Sequence, residues 1–208
     1  MARGGATVLT YIPAMPPANE ELEADLKRRF EVPDFDGVIA AAIAGYGDEL
    51  YGFLLGLAGD SARADDVFSA MCERLWKGLA KFRWDSSFRV WAYTIARNEF
   101  LRSTRDSNKA RKQVPVSQVA SVQLAIEKLR STTPIYQRTE IKDRFAHVRE
   151  QLPPEDHMLL GLRLDRQMAW TEIARILGGE EASLAREAAV LRKRFERLKI
   201  RLRELLRD

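Results

Sequence analysis

Between Phe82 and Phe100 the chain reads FRWDSSFRVWAYTIARNEF, six aromatic residues in nineteen positions with Arg83, Arg89 and Arg97 threaded among them. Rings beside guanidiniums suit an unstacked nucleic acid strand. Flat faces stack on bases, at on the order of 1–3 kcal/mol each, while cations hold the phosphates. The plainer alternative is a hydrophobic helix pair with a solvated basic face, and most single rings end in a core. Thr94, Asn98, Arg102 and Arg105 follow at i, i+4, i+8 and i+11, a polar and basic stripe along one helix.

A second concentration lies near the C-terminus. The stretch 170-WTEIARILGG-179 is a short helix with Ile173, Ile176 and Leu177 inward and a Gly-Gly stop. A long helix follows, from about Ala182 to Leu206. Short helix, glycine turn and basic helix make a helix-turn-helix pattern, whose second helix enters the DNA major groove. Leu184, Ala188, Leu191, Phe195, Leu198, Leu202 and Leu205 form its apolar seam, alternating by four and three. The opposite side carries Arg186, Lys193, Arg197 and Arg201, flanked by Arg192 and Arg194, suited to phosphates and guanine edges. The same seam also suits a coiled coil with a partner helix.

Charge follows these two places. The net charge of +4 is modest, but Arg97–Lys112 holds six basic residues against two acidic, and Arg186–Asp208 nine against four. Two basic segments suggest two contacts with a polyanion; solvated helix faces are the alternative.

The elements that position these groups are helical. Val67, Met71, Leu75, Leu79 and Phe82 share one face of a helix expected to start near Asp65, whose acidic pair with Asp66 favours an N-terminus. Upstream, 38-VIAAAIAGYGDELYGFLLGLAG-59 reads as one or two helices. A further helix runs from about Ser87 to Arg105. The middle, about 106–140, has linker composition with one short helix at 119–130. Residues 1–20, rich in Gly, Pro and Ala, are expected to lack fixed structure. A last block opens at Leu152, with Pro153 and Pro154 in a first helical turn. The expected fold class is all-α, two small helical domains joined by a flexible linker: 21–105, 106–140 and 141–208.

At 208 residues, 46% hydrophobic and 31% charged, the chain has the composition of a folded, charged protein. No uninterrupted apolar run reaches the roughly 18 residues of a membrane span, and the N-terminus lacks signal-peptide organisation, so no membrane contact and a cytoplasmic location are expected. One cysteine, Cys72, and two histidines, His147 and His157, argue against a disulfide or a metal site, and no cofactor is implied. There is no glycine-rich phosphate loop, no His-Glu-His pattern and no nucleophile with a recognisable base, so an enzyme is the least supported class.

Two segments then resemble a family. The run 65-DDVFSAMCERLWKGLAKFRWDSSFRVWAYTIARNEFLR-102 resembles the sigma-two domain of extracytoplasmic-function (ECF) sigma factors of the sigma-70 family. The run 152-LPPEDHMLLGLRLDRQMAWTEIARILG-178, with 192-RKRFERLKIRLRELL-206, resembles their sigma-four domain. The resemblance implies a non-enzymatic promoter-recognition subunit of bacterial RNA polymerase. Asp65, Asp66, Arg74 and Trp76 would face core polymerase. Arg83, Asp85, Ser86, Ser87 and Phe88 would form the pocket for an extruded base of the minus-ten element, with Asn98 and Arg102 on the melted non-template strand or adjacent duplex. Arg192, Lys193, Arg194 and Arg197 would read the minus-thirty-five element as duplex. An anti-sigma factor is a further implied partner.

The chain departs from the pattern in places. Ser69–Ala70 stand where the family has Gln-Glu, Cys72 where it has Phe, Trp84 where it has glycine and Ala169 where it has a capping serine. Roughly seven extra residues lie between Gly178 and Arg194. Two other readings stay open: a helix-turn-helix regulator that never engages polymerase, and a helical adaptor using the heptad seam.

Overall fold

The computed structural model describes residues 19–106 and 152–205. Among these residues every regular element is helical. The 119–130 helix, most of the linker and most of the leading stretch lie outside them.

Four helices build a first lobe: α1 Glu20–Glu31, α2 Phe35–Ala58, α3 Ser61–Leu79 and α4 Phe88–Asp106. Three build a second: α5 Pro154–Leu160, α6 Trp170–Ile176 and α7 Leu184–Leu205. Side chains start each of the first three. Asn19 accepts from the Leu22 N–H, Asp34 from that of Gly37, and Asp60 from those of Ala62 and Arg63 at 3.2 and 3.0 Å. Asp60 therefore starts α3 five residues before the Asp65–Asp66 pair expected to do so. A residue with two backbone donors within reach is the better cap, and Asp65 becomes part of the helix body.

The uncertain apolar stretch is one helix, α2. Its 24 residues are apolar enough to span a bilayer by composition, with a mean hydropathy of 1.3 in the richest window. It serves instead as the central core helix, burying Val38, Ile39, Ile43, Leu50, Phe53 and Leu54 against α1, α3 and α4.

α4 is capped from a distance. The Glu23 carboxylate of α1 accepts the backbone N–H groups of Phe88 and Arg89 at 2.7 and 2.9 Å, and also the Tyr46 hydroxyl at 2.9 Å. This ties α1, α2 and the start of α4 together through one side chain.

The second lobe begins with Pro154 at the first position of α5, which runs into a wider π-turn over Gly161–Asp165. Gly161 of that turn faces the Phe53 ring of α2, where an added Cβ would sit in ordinary contact at 3.5 Å. α6 packs on α4. The two lobes share one continuous buried cluster, from Leu26 through Phe53 and Tyr93 to Leu159, Ile173 and Leu202. They are docked on each other.

Candidate nucleic-acid interface

Phe82 and Trp91 stack with centroids 4.5 Å apart and planes 16° from parallel. Gly78 permits this, since a Cβ there would come within 3.2 Å of the indole. The stacked pair lies in a cleft of about 380 Å³, completed by Lys81, Arg83, Asp85, Ser86 and Ile95. At the mouth Arg83 and Asp85 pair at 2.9 Å with 83% and 65% of their side chains exposed, so the pair opens readily to a ligand. Ser86 is half-buried and donates to the Ser87 carbonyl. Ser87 turns inward, accepting the Val90 N–H in the first turn of α4.

The five loop residues named from sequence are thus divided. Arg83, Asp85 and Ser86 line the cleft. Ser87 caps a helix, and Phe88 is fully buried, edge-on to Phe82 and Trp91, supporting the wall from behind. Phe82, Trp91, Gly78, Lys81 and Ile95 are the lining residues not named as such from sequence. Phe82, Trp91 and Ile95 show as apolar periodicity, which marks a core face and not its exposed rim.

Beyond the cleft the stripe on α4 holds as read from spacing. Asn98, Arg102 and Arg105 are exposed, and Thr94 is half-buried, its hydroxyl donating to the Val90 carbonyl. Arg97 donates to the Asn98 Oδ1 at 3.2 Å. Burial lowers the Arg97 pKa, and among the described residues its Nε has no acceptor. Arg89 is not presented to a ligand at all. It lies 3% exposed at the boundary between the lobes, held by Glu49. The cations of the aromatic stretch therefore have three fates: Arg83 outside, Arg97 half-buried and Arg89 inside.

On α3, Asp66, Arg74 and Trp76 are exposed and Asp65 is half-buried. Trp76 is 41% exposed and donates its indole N–H to Asp36 at 2.9 Å. Arg74 reaches across to Glu99 of α4 at 3.1 Å, a carboxylate that Arg102 also approaches at 3.5 Å. Ser69 and Cys72, two of the departures from the family pattern, are buried in the core.

In the second lobe the helix-turn-helix takes shape as α6, a turn and α7. Gly178 adopts φ +98°, open to glycine, and a Cβ on Gly179 would come within 2.8 Å of the Ala174 carbonyl oxygen. Ala169 has no side chain to cap α6. The Glu172 carboxylate supplies half of the missing cap by accepting the Ala169 N–H at 2.8 Å. The extra residues before Arg194 form the Glu181–Ser183 turn and the opening of α7.

The four cations named on α7 do not share one face. Lys193 and Arg197 are exposed on the side away from the buried seam. Arg192 lies over the Trp170 ring at 5.8 Å. Arg194 turns back to the start of α5, binding Asp156 at 2.6 Å and Glu155 at 3.1 Å. Burial pulls its pKa down, but hydrogen bonds to both carboxylates outweigh this and raise it.

With the cleft, the stripe and the helix-turn-helix in place, residues 42–110 match the family model of sigma-70 region 2. The first lobe thus carries a sigma-70 region 2. The matched segment runs from α2 through α3 and the cleft loop to the end of α4, so region 2 contains every aromatic and polar group of the cleft and stripe. The fold is similar to that of a solved sigma factor, RpoE in complex with the anti-sigma factor NepR from Bartonella quintana. The TM-score is 0.54 at 19% identity, covering 88% of this chain and 97% of that one. That likeness extends over both lobes.

Proposed function

We propose that this chain is a sigma factor of the sigma-70 family, of ECF type, that directs promoter-specific initiation by bacterial core RNA polymerase in the cytoplasm. Asp65, Asp66, Arg74 and Trp76 on α3 form its polymerase contact. The first lobe, residues 21–105, opens the minus-ten element. An extruded base enters the cleft past Arg83, Asp85 and Ser86, and Asn98 and Arg102 hold the strand it came from. The second lobe, residues 141–208, reads the minus-thirty-five duplex through α7, with Lys193 and Arg197 outermost. The chain is non-enzymatic: it positions and opens DNA for the polymerase.

The observation that carries this reading is the cleft itself. Stacked rings, an exposed Arg–Asp pair and a half-buried serine lie beside a polar, basic helix face, all inside the region 2 match. A helix-turn-helix repressor has no use for that unit. An anti-sigma factor is the second partner proposed, because the solved sigma factor of similar fold is complexed with one.

Permanganate footprinting of promoter thymines tests the proposal, with the chain added to core RNA polymerase on host promoter fragments. Polymerase-dependent reactivity near minus ten, lost with Asn98→Ala plus Arg102→Ala, is the expected result. Tight, salt-sensitive duplex binding without any thymine reactivity would make the chain a regulator that does not melt DNA.

A further inference from the structure

Trp84 is the residue in the first lobe whose conformation and surroundings disagree most. Its φ is +60°, left-handed backbone that bulky L-residues rarely adopt. Its indole is wedged between two rings, edge-on to Phe30 at 5.8 Å and tilted on Phe82 at 4.9 Å. Its Nε1 is buried, and among the described residues it has no acceptor. A strained backbone and an unpaired indole N–H both count against this seat, while ring packing favours it. The opposing terms make the seat easy to leave.

The position gives that a consequence. Phe82 touches both indoles, tilted against Trp84 and stacked on Trp91. Trp84 is also flanked in sequence by Arg83 and Asp85 at the mouth of the cleft. An indole that swings out relaxes its φ, hydrates its N–H and presents a large flat face next to exposed Arg83. Unpaired bases stack on such a face, and aromatic or apolar wedges hold base steps open.

Resting on the proposed melting function, we infer that Trp84 is a stacking residue. It exchanges its seat on Phe30 and Phe82 for an unpaired base of the non-template strand beside the cleft. The ligand class is a single-stranded nucleobase, taken by its π-face and so with little sequence preference. In the free protein the two aromatic neighbours hold the indole in reserve.

The test uses full-length chain with core RNA polymerase on promoter duplexes carrying a preformed bubble, with 2-aminopurine placed singly along the unpaired non-template strand. Wild type and Trp84→Phe, which keeps a stacking face, should quench one aminopurine position several-fold relative to its neighbours. Trp84→Gly should not quench it, and should slow opening of the closed promoter about tenfold while still binding core. Circular dichroism and thermal midpoints confirm that both variants are folded. Equal quenching and opening by wild type and Trp84→Gly overturns the assignment. So does Trp84→Phe behaving like Trp84→Gly, which reduces the indole to packing. Failure of all three proteins to open the fully paired promoter, despite core binding, overturns the melting function itself and this role with it.

Discussion

Arg89 and Glu49 lock bidentately between the lobes, Nε to Oε1 at 2.7 Å and Nη2 to Oε2 at 2.8 Å, with each side chain 4% exposed. Arg166 of the second lobe closes the arrangement. Its Nη2 donates to the Glu49 carbonyl at 2.8 Å, and its own carbonyl accepts from Arg89 at 3.3 Å. One guanidinium thus takes the carboxylate of Glu49 and the other its backbone carbonyl in a buried seam, and among the described residues the Arg166 Nε has no acceptor. Such a pair adds little net stability over apolar residues, but it is costly to break from one side.

Glu49→Gln should therefore destabilise the protein by about 3–5 kcal/mol, since it leaves the buried Arg89 guanidinium without its counter-ion. Glu49→Leu combined with Arg89→Met should lie closer to wild type than either single change. Urea denaturation of the singles and the double measures this. Additive losses would mean that the pair is not coupled.

Alkaline pH should weaken the fold through buried tyrosines. Burial raises the pKa of Tyr93 above its ordinary value of 10.0, and burial with the Glu23 charge raises that of Tyr46. Each stays neutral when folded while the unfolded chain ionises near pH 10. Their contribution is complete below that pH and is lost as pH rises above it. Melting temperature followed from pH 8 to 11 should fall less steeply in Tyr93→Phe. An unchanged slope would remove Tyr93 from the account.

Glu23→Ala should cost about 1–2 kcal/mol, a helix cap's typical worth at its upper end, although the residue lies on a different helix. The loss should be local as well. Amide hydrogen exchange at Phe88 and Arg89 is expected to accelerate, while α7 amides should change only by the global shift. Protection at those two amides equal to wild type would show that another acceptor serves them.

Arg194 and Arg197 separate structure from binding. With α7 in the groove as proposed, Arg197→Ala should reduce the slope of log affinity against log salt by about 0.9. Arg194→Ala should leave that slope unchanged and cost at most about 1 kcal/mol of stability, through its partly exposed pairs with Glu155 and Asp156. Duplex titrations at several salt concentrations read both. A larger slope change for Arg194 than for Arg197 would reverse the assignment of the two faces.

Local chemistry was legible in the sequence wherever one helix carries it. Periodicity placed Thr94, Asn98, Arg102 and Arg105 on one face of α4, and it placed Leu184, Ala188, Phe195, Leu198 and Leu202 on the buried seam of α7, because helical geometry depends only on spacing. The glycine stop at Gly178–Gly179 was legible for the same reason: turn conformation is a property of the residue.

What the tertiary structure decided was which cations face outward. Arg83, Arg89 and Arg97 look equivalent in the chain, yet Glu49 draws Arg89 inside from forty residues away, and Asp156 draws Arg194 off its helix's open face from thirty-eight. Glu23 reaches the amides of α4 across a separation of 65 and 66 residues. A buried charge goes where its partner is, and a partner that distant leaves no trace in spacing. Helix type and register come from near neighbours; the exposure of a charged group follows from the folded surroundings.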